Sequence, residues 1–339
     1  MNRFISVTIA LAASATLAGP LEEQARGLFK PLPKRFESKG NPVTAEKVEL
    51  GKLLFFDVRL SKNHDVSCNS CHDLARYGVD GQPFSTGHKK QLGGRNSPSV
   101  YNAGDHLAQF WDGRAASLED QAKGPVLNPV EMAMPNGDAV VATVASVPGY
   151  APLFAKAFPG LAQPITFDNV AKAIGAFERT LVTPSRFDRY LSGDDAALSA
   201  PEKAGLQTFI SAGCTACHNG EGVGGSMFQR LGLVEPVSGL ADEGRAAVTH
   251  DEADRFQFKV PSLRNVAMTG PYLHDGRFTG LDQTVSFMGR YQLGKKLSAA
   301  EVTSIVGFLK ALTGELPKDA VRPPTPLASG ALTPKPDPR

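Results

Sequence analysis

All four cysteines of this 339-residue chain fall in two copies of one five-residue pattern, Cys68-Asn69-Ser70-Cys71-His72 and Cys214-Thr215-Ala216-Cys217-His218. Cys-x-x-Cys-His is the attachment signature of a c-type haem. Two thiols add across the haem vinyl groups, and the adjacent histidine reaches the iron as proximal ligand. Two disulfides or a pair of zinc knuckles would use the same cysteines, but neither explains why a histidine directly follows both pairs. The pattern therefore predicts two haem c groups, held through Cys68 and Cys71 and through Cys214 and Cys217. What completes each iron's coordination then separates an electron carrier from an enzyme.

The motifs belong to a longer repeat. Pro98-Ser99-Val100-Tyr101-Asn102 and Pro261-Ser262-Leu263-Arg264-Asn265 lie 163 positions apart, as do Asp112-Gly113-Arg114 and Asp275-Gly276-Arg277, and Leu118 and Leu281. The motifs themselves are 146 apart, so the second half carries 17 extra residues between its motif and its Pro-Ser block. A fixed offset means one structural unit used twice. Helices bracket each unit. Ala45-Glu46-Lys47 leads into Val48, Leu50, Leu53 and Leu54; Pro201-Glu202-Lys203 leads into Leu206, Phe209 and Ile210, with Ser199 and Glu202 as a capping box. Late in each unit comes an amphipathic helix, with Val170, Ile174, Phe177 and Leu181 on one face in the first. Val302, Ile305, Val306 and Leu309 share a face in the second, opened by Ser298 and Glu301. Gly- and Pro-rich loops fill the space between, and strand alternation is scarce.

Helix, haem motif, wrapping loops and closing helix are the plan of a cytochrome c domain. The expected fold is all-α: two cytochrome c-like domains, each wrapping one covalently attached c-type haem, with long loops and little strand. The expected division is a signal peptide over 1–18, an N-terminal domain over 19–183, a C-terminal domain over 184–314 and a tail over 315–339. The tail holds seven of the 25 prolines and is expected to run extended, back onto the first domain. Arg3, the apolar run Phe4 to Leu11 and the small residues Ala12 to Ala18 read as the secretory signal. Export suits c-type haem, which is attached outside the bacterial cytoplasm. A net charge of +2 shows no nucleic-acid footprint or polybasic membrane signal. No later stretch is apolar for long enough to span a bilayer.

A sixth ligand of a c-type haem is usually methionine or histidine. At the 163-residue offset Met288 faces Pro125, so one half offers a thioether where the other offers nothing that binds iron. Met288 is therefore expected on the second iron with His218, and Met268 is the runner-up. The first iron, on His72, lacks a methionine. His88 lies in the glycine-rich loop from Gly78 to Gly94, which can bend over a haem face and move away. His64, His106, His250 and His274 read as ordinary histidines; His274 falls opposite Trp111 in the repeat, which suggests a lining role.

Phe110-Trp111-Asp112-Gly113-Arg114-Ala115, Val130-Glu131-Met132 and Gly270-Pro271-Tyr272-Leu273-His274-Asp275-Gly276 resemble the bacterial dihaem cytochrome c peroxidases, over nearly the whole mature chain. The resemblance implies a periplasmic enzyme that reduces hydrogen peroxide to water with two electrons from a small donor protein, a cytochrome c or a cupredoxin, and a homodimer. It implies that His218/Met288 is the high-potential electron-entry haem and His72/His88 the low-potential peroxidatic one, His88 leaving on reductive activation. It implies Glu131 and Gln121 in the peroxide pocket, and Trp111 as the bridge for electrons between the haems. It also implies a calcium ion held by Asn96 and the carbonyls of Thr269 and Pro271. A carboxylate above the iron suits the proton shift that O–O cleavage needs, and an oxygen-only set suits calcium. A related enzyme that matures a protein-derived quinone cofactor resembles the chain in both motifs but lacks the removable histidine and has tyrosine where this chain has Met288. A plain dihaem electron carrier is the third reading, and it gains nothing from Glu131 or from an openable haem.

Overall fold

The computed structural model describes residues 20–339, so the expected signal peptide lies outside the described residues. Among these the chain forms thirteen α-helices joined by long irregular segments: α1 (Pro20–Leu28), α2 (Ala45–Phe56), α3 (Cys68–Cys71), α4 (Leu118–Leu127), α5 (Gly137–Ala145), α6 (Tyr150–Ala157), α7 (Phe167–Glu178), α8 (Arg186–Leu191), α9 (Ala200–Ala212), α10 (Ala246–Thr249), α11 (Leu281–Leu293), α12 (Ala299–Ala311) and α13 (Lys318–Val321). One antiparallel pair, β1 (Phe228–Arg230) and β2 (Gln257–Lys259), sets Phe228 opposite Lys259. Both strands lie between the second motif and Pro261, the stretch in which the second half is longer. The fold is all-α apart from this pair, as the sequence predicts. No single helix among the described residues is long and apolar enough to cross a membrane. The pair α5–α6 is apolar enough together but is bent by 111°, and its Val140, Val144, Tyr150 and Phe154 are core residues.

Two helix crossings carry the architecture, α2 on α7 and α9 on α12. Each has a glycine at the contact. A Cβ on Gly51 would run into the carbonyl of Ala173, and one on Gly205 into that of Ser304. Each crossing is also closed by an edge-on or tilted aromatic pair: Phe55 and Phe177 at 5.5 Å, Phe209 and Phe308 at 5.3 Å. The caps follow the sequence: Thr44 and Thr166 open α2 and α7, and capping boxes at Ser199/Glu202 and Ser298/Glu301 open α9 and α12. Gly51→Ala is expected to destabilise the protein by about 1–3 kcal/mol, because the clashing atom is backbone and cannot swing aside. That cost outweighs the ~1 kcal/mol that alanine gains over glycine in helix propensity. A denaturant titration checks it, and an unchanged midpoint would remove the close crossing from the account.

One core gathers α2, α5, α6 and α7; the other gathers α8, α9 and α12. The chain ends are exchanged between them. Ala25 of α1 and Phe29 just beyond it pack in the second core, Phe29 edge-on to Phe187 at 5.3 Å. Leu316, Ala320, Val321 and Leu327 of the tail pack on the first, and Arg59 donates to the Leu327 carbonyl at 2.9 Å. The repeat is also legible in the backbone. Gln109 bridges Ala115 as Tyr272 bridges Phe278. Phe110 and Leu273 share a positive φ, as do Asn102 and Asn265, and Gly113 and Gly276. Both asparagine amides donate to one buried hydroxyl, that of Thr183, at 2.8 Å each.

Candidate functional site: two cavities around the cysteine motifs

Each motif is a single helical turn that turns its histidine inward. The amide of His72 donates to the Cys68 carbonyl at 2.9 Å and that of His218 to the Cys214 carbonyl at 3.0 Å. Nδ1 of His72 lies 3.3 Å from the Gly78 carbonyl, and Nδ1 of His218 lies 3.3 Å from the Val223 carbonyl. A proton held there leaves Nε2 as the ligating nitrogen. Burial lowers the pKa of His72 and pushes that of His218 to about 4, so both imidazoles are neutral, the form that binds iron. The four thiols are unpaired. Cys68, Cys71 and His72 line one cavity, of about 600 Å³, and Cys214, Cys217 and His218 line another. Paired thiols and an inward histidine on one wall of a sizeable cavity fit a covalently held haem. Among the described residues no three His, Cys, Asp or Glu side chains converge as zinc would require.

The two cavities differ on their far walls. Met288 of α11 faces the second, and Met268 is 49% exposed and faces neither. In the first, Gln121 and Pro125 of α4 stand where a methionine would be. The bidentate Arg179–Glu119 pair (2.6 and 2.9 Å) clamps α4 to the end of α7. Beyond α4 the chain turns at Asn128, whose side chain caps Val130 and donates to Glu131 Oε1 at 2.8 Å. Glu131 faces the first cavity, and its pKa is raised, chiefly by burial, against the opposing pull of Arg114 and the Asn128 amide. The His88 loop rests on this turn. A Cβ on Gly87 would strike the Val130 carbonyl, and the His88 amide donates to the Glu131 carbonyl at 2.8 Å. Gly87 and Gly93 line the first cavity, whereas the His88 side chain is buried beside it with Nδ1 unpartnered. Lys89 and Lys90, immediately after it, both hold a left-handed backbone, a conformation that costs roughly 1–2 kcal/mol per residue.

Trp111 lines both cavities, and its Nε1 donates to the Asn96 carbonyl at 2.8 Å. Asn96, Thr269 and Pro271 all line the second cavity; Asn96 spends its side-chain N–H on the Gln82 carbonyl, which leaves Oδ1 to bind. Here the repeats pair reciprocally. The Asn96 amide donates to the His274 carbonyl at 2.7 Å, and the Lys259 amide donates to the Trp111 carbonyl at 2.7 Å. Positions 96 and 259, and 111 and 274, are again 163 apart. Glu178 escaped the sequence reading. It is buried at the end of α7 facing the first cavity, Oε2 has no partner, and burial pushes its pKa up to about 8. Its signal was an acid four residues after Ile174, on an apolar face.

A helical fold with two such cavities in series defines a dihaem c-type cytochrome. A profile of the di-haem cytochrome c peroxidase family matches residues 45–196. The chain is 47% identical to the cytochrome c551 peroxidase of Pseudomonas aeruginosa over 337 residues, 98% of this chain and 96% of that one. It is 48% identical to the cytochrome c551 peroxidase of Nitrosomonas europaea, covering 84% and 85%, and 38% identical to the methylamine utilization protein MauG of Methylorubrum extorquens, covering 89% of each. Among solved structures it resembles a MauG-like protein associated with microbial copper homeostasis, with TM-score 0.78 and 30% identity over 87% of this chain and 97% of that one. The chain belongs to the di-haem cytochrome c peroxidase family. It is an enzyme of that kind, an oxidoreductase carrying two haem c.

Proposed function

We propose that this chain reduces hydrogen peroxide to water in the periplasm, taking two electrons from a small donor protein, a cytochrome c or a cupredoxin. The observation that carries the reading is the unlike far walls of the two cavities, a buried carboxylate over one and a thioether over the other. A haem held by Cys68, Cys71 and His72 would supply peroxide binding, and the two haems together would pass on the donor's two electrons. Glu131 takes the proton of the near peroxide oxygen and returns it to the leaving one, with Gln121 beside it to orient the peroxide. His88 would hold the first haem closed and be released on reduction; the close seat of Gly87 on the Glu131 turn and the left-handed Lys89 and Lys90 support a loop with a second resting position. Met288 with His218 sets the second haem's higher potential, and Trp111 carries electrons between the cavities. Asn96 Oδ1 and the Thr269 and Pro271 carbonyls would hold a calcium ion. The working division is 19–183 for the peroxidatic half and 184–314 for the electron-entry half, in a homodimer.

The protein reduced by one electron per chain in calcium, then given peroxide and reduced cytochrome c, is expected to oxidise the donor; background rates would overturn the proposal. Met288→His is expected to lower the second haem's potential by on the order of 0.1 V, within the roughly 0.8 V range that axial ligands command. A redox titration reads it, and an unshifted potential would remove Met288 from the iron. The quinone-maturing reading ranks second, because Met288 stands where that enzyme has tyrosine.

A further inference from the structure

The wall of the second cavity holds a buried lysine that no anion of the chain answers. Lys259 is 5% exposed. Its Nζ has one partner, Nδ1 of His106 at 3.1 Å, and among the described residues no carboxylate lies in ion-pair range of it. Asp112, whose charge acts on Lys259, is already taken by Arg95 and Arg114. Because Nδ1 accepts from Nζ, the imidazole proton sits on Nε2, and that buried atom has no partner. Nζ thus keeps N–H groups beyond the one given to Nδ1, and both residues line the second cavity. An unpaired buried ammonium is strongly disfavoured, and burial pushes the Lys259 pKa to about 7. The pair joins the halves, His106 from the first and Lys259 from the second. At the 163-residue offset, His106 corresponds to Thr269 and Lys259 to Asn96. The duplication thus sets an amide and a hydroxyl residue on one side and an ammonium and an imidazole on the other.

We propose that Lys259, its Nζ held in place by His106, forms a carboxylate-binding site that receives a propionate of the second haem and holds that haem's potential up. The N–H groups that Nζ has left free match the two oxygens of a carboxylate, its charge answers theirs, and a haem brings its own carboxylates into this cavity. A fixed cation beside the ring opposes the positive charge gained on oxidation, so it favours the reduced state.

The proposal rests on the second cavity holding its haem, which the c-type absorption per chain reports separately. In the intact dihaem protein, the second haem's propionate bending band in resonance Raman is expected to shift on exchange into D2O, as a band bonded to N–H groups must. Lys259→Gln is expected to move that band and to lower the reduced-to-oxidised ratio of the second haem at fixed potential about tenfold, which is about 59 mV for a one-electron couple. The first haem's potential stays in place, and Lys259→Arg restores both readings. His106→Gln is expected to move the band with a smaller shift in potential. A D2O-insensitive band in the unaltered protein overturns the proposal, and so do wild-type bands and potentials in fully loaded Lys259→Gln and His106→Gln.

Discussion

Glu131→Gln is expected to lower peroxide turnover by roughly 10²–10⁴-fold, the usual worth of a positioned general acid–base group. Both haem spectra are expected to stay as in the parent. The amide keeps the size of the side chain and can still meet Asn128, so the fold and the cavity stay intact while the proton carrier is lost. The pH profile separates this from a packing effect. Glu131 must start as a carboxylate to take the first proton. Burial raises its pKa above the ordinary glutamate value, so the parent's acid limb lies above that value, and activity falls as pH drops through it. The limb disappears in Glu131→Gln. A variant with parental turnover, or with the acid limb intact, would move the proton transfer to another group. Glu178 would then be the first to test, since it faces the same cavity with an unpartnered oxygen.

His88→Gly is expected to give a high-spin first haem in the fully oxidised protein and peroxide turnover without prior reduction. A ligand occupying its site 99% of the time cuts the competent fraction, and hence reactivity toward a second ligand, about 100-fold. The oxidised variant should therefore react with peroxide at least about that much faster than the oxidised parent. His88 makes few demands on the core: its amide bond to the Glu131 carbonyl is backbone and survives in glycine. A low-spin oxidised variant would assign the ligand elsewhere.

The helices most legible in the sequence are those whose signals are local. α9 and α12 announce themselves through Ser-x-x-Glu, and the structure makes both boxes. The 163-residue repeat is legible because it is written in residues that a turn demands, such as Asn102 and Asn265 in left-handed backbone. The Met288/Pro125 contrast is legible by subtraction, and the structure sets both residues on cavity walls. Features that depend on a distant partner were hidden. Gly51 and Gly205 look like weak points in helices until Ala173 and Ser304 arrive opposite them. Lys259 reads as a surface charge, since nothing in its neighbours says that β2 will bury it behind Trp111. Met268 was the runner-up thioether in the sequence, and the structure keeps the order, with Met288 on the wall of the second cavity and Met268 half exposed outside it.

The exchanged chain ends have a consequence for how such a molecule can be divided. The first helix finishes the core of the second half, and the last segment finishes the core of the first. A cut at Thr183 would not release two one-haem cytochromes. It would leave each piece short of the segment that closes it, and would divide the hydroxyl that Asn102 and Asn265 share. Whatever moves in one half is therefore tied to the other through α1 and through the tail.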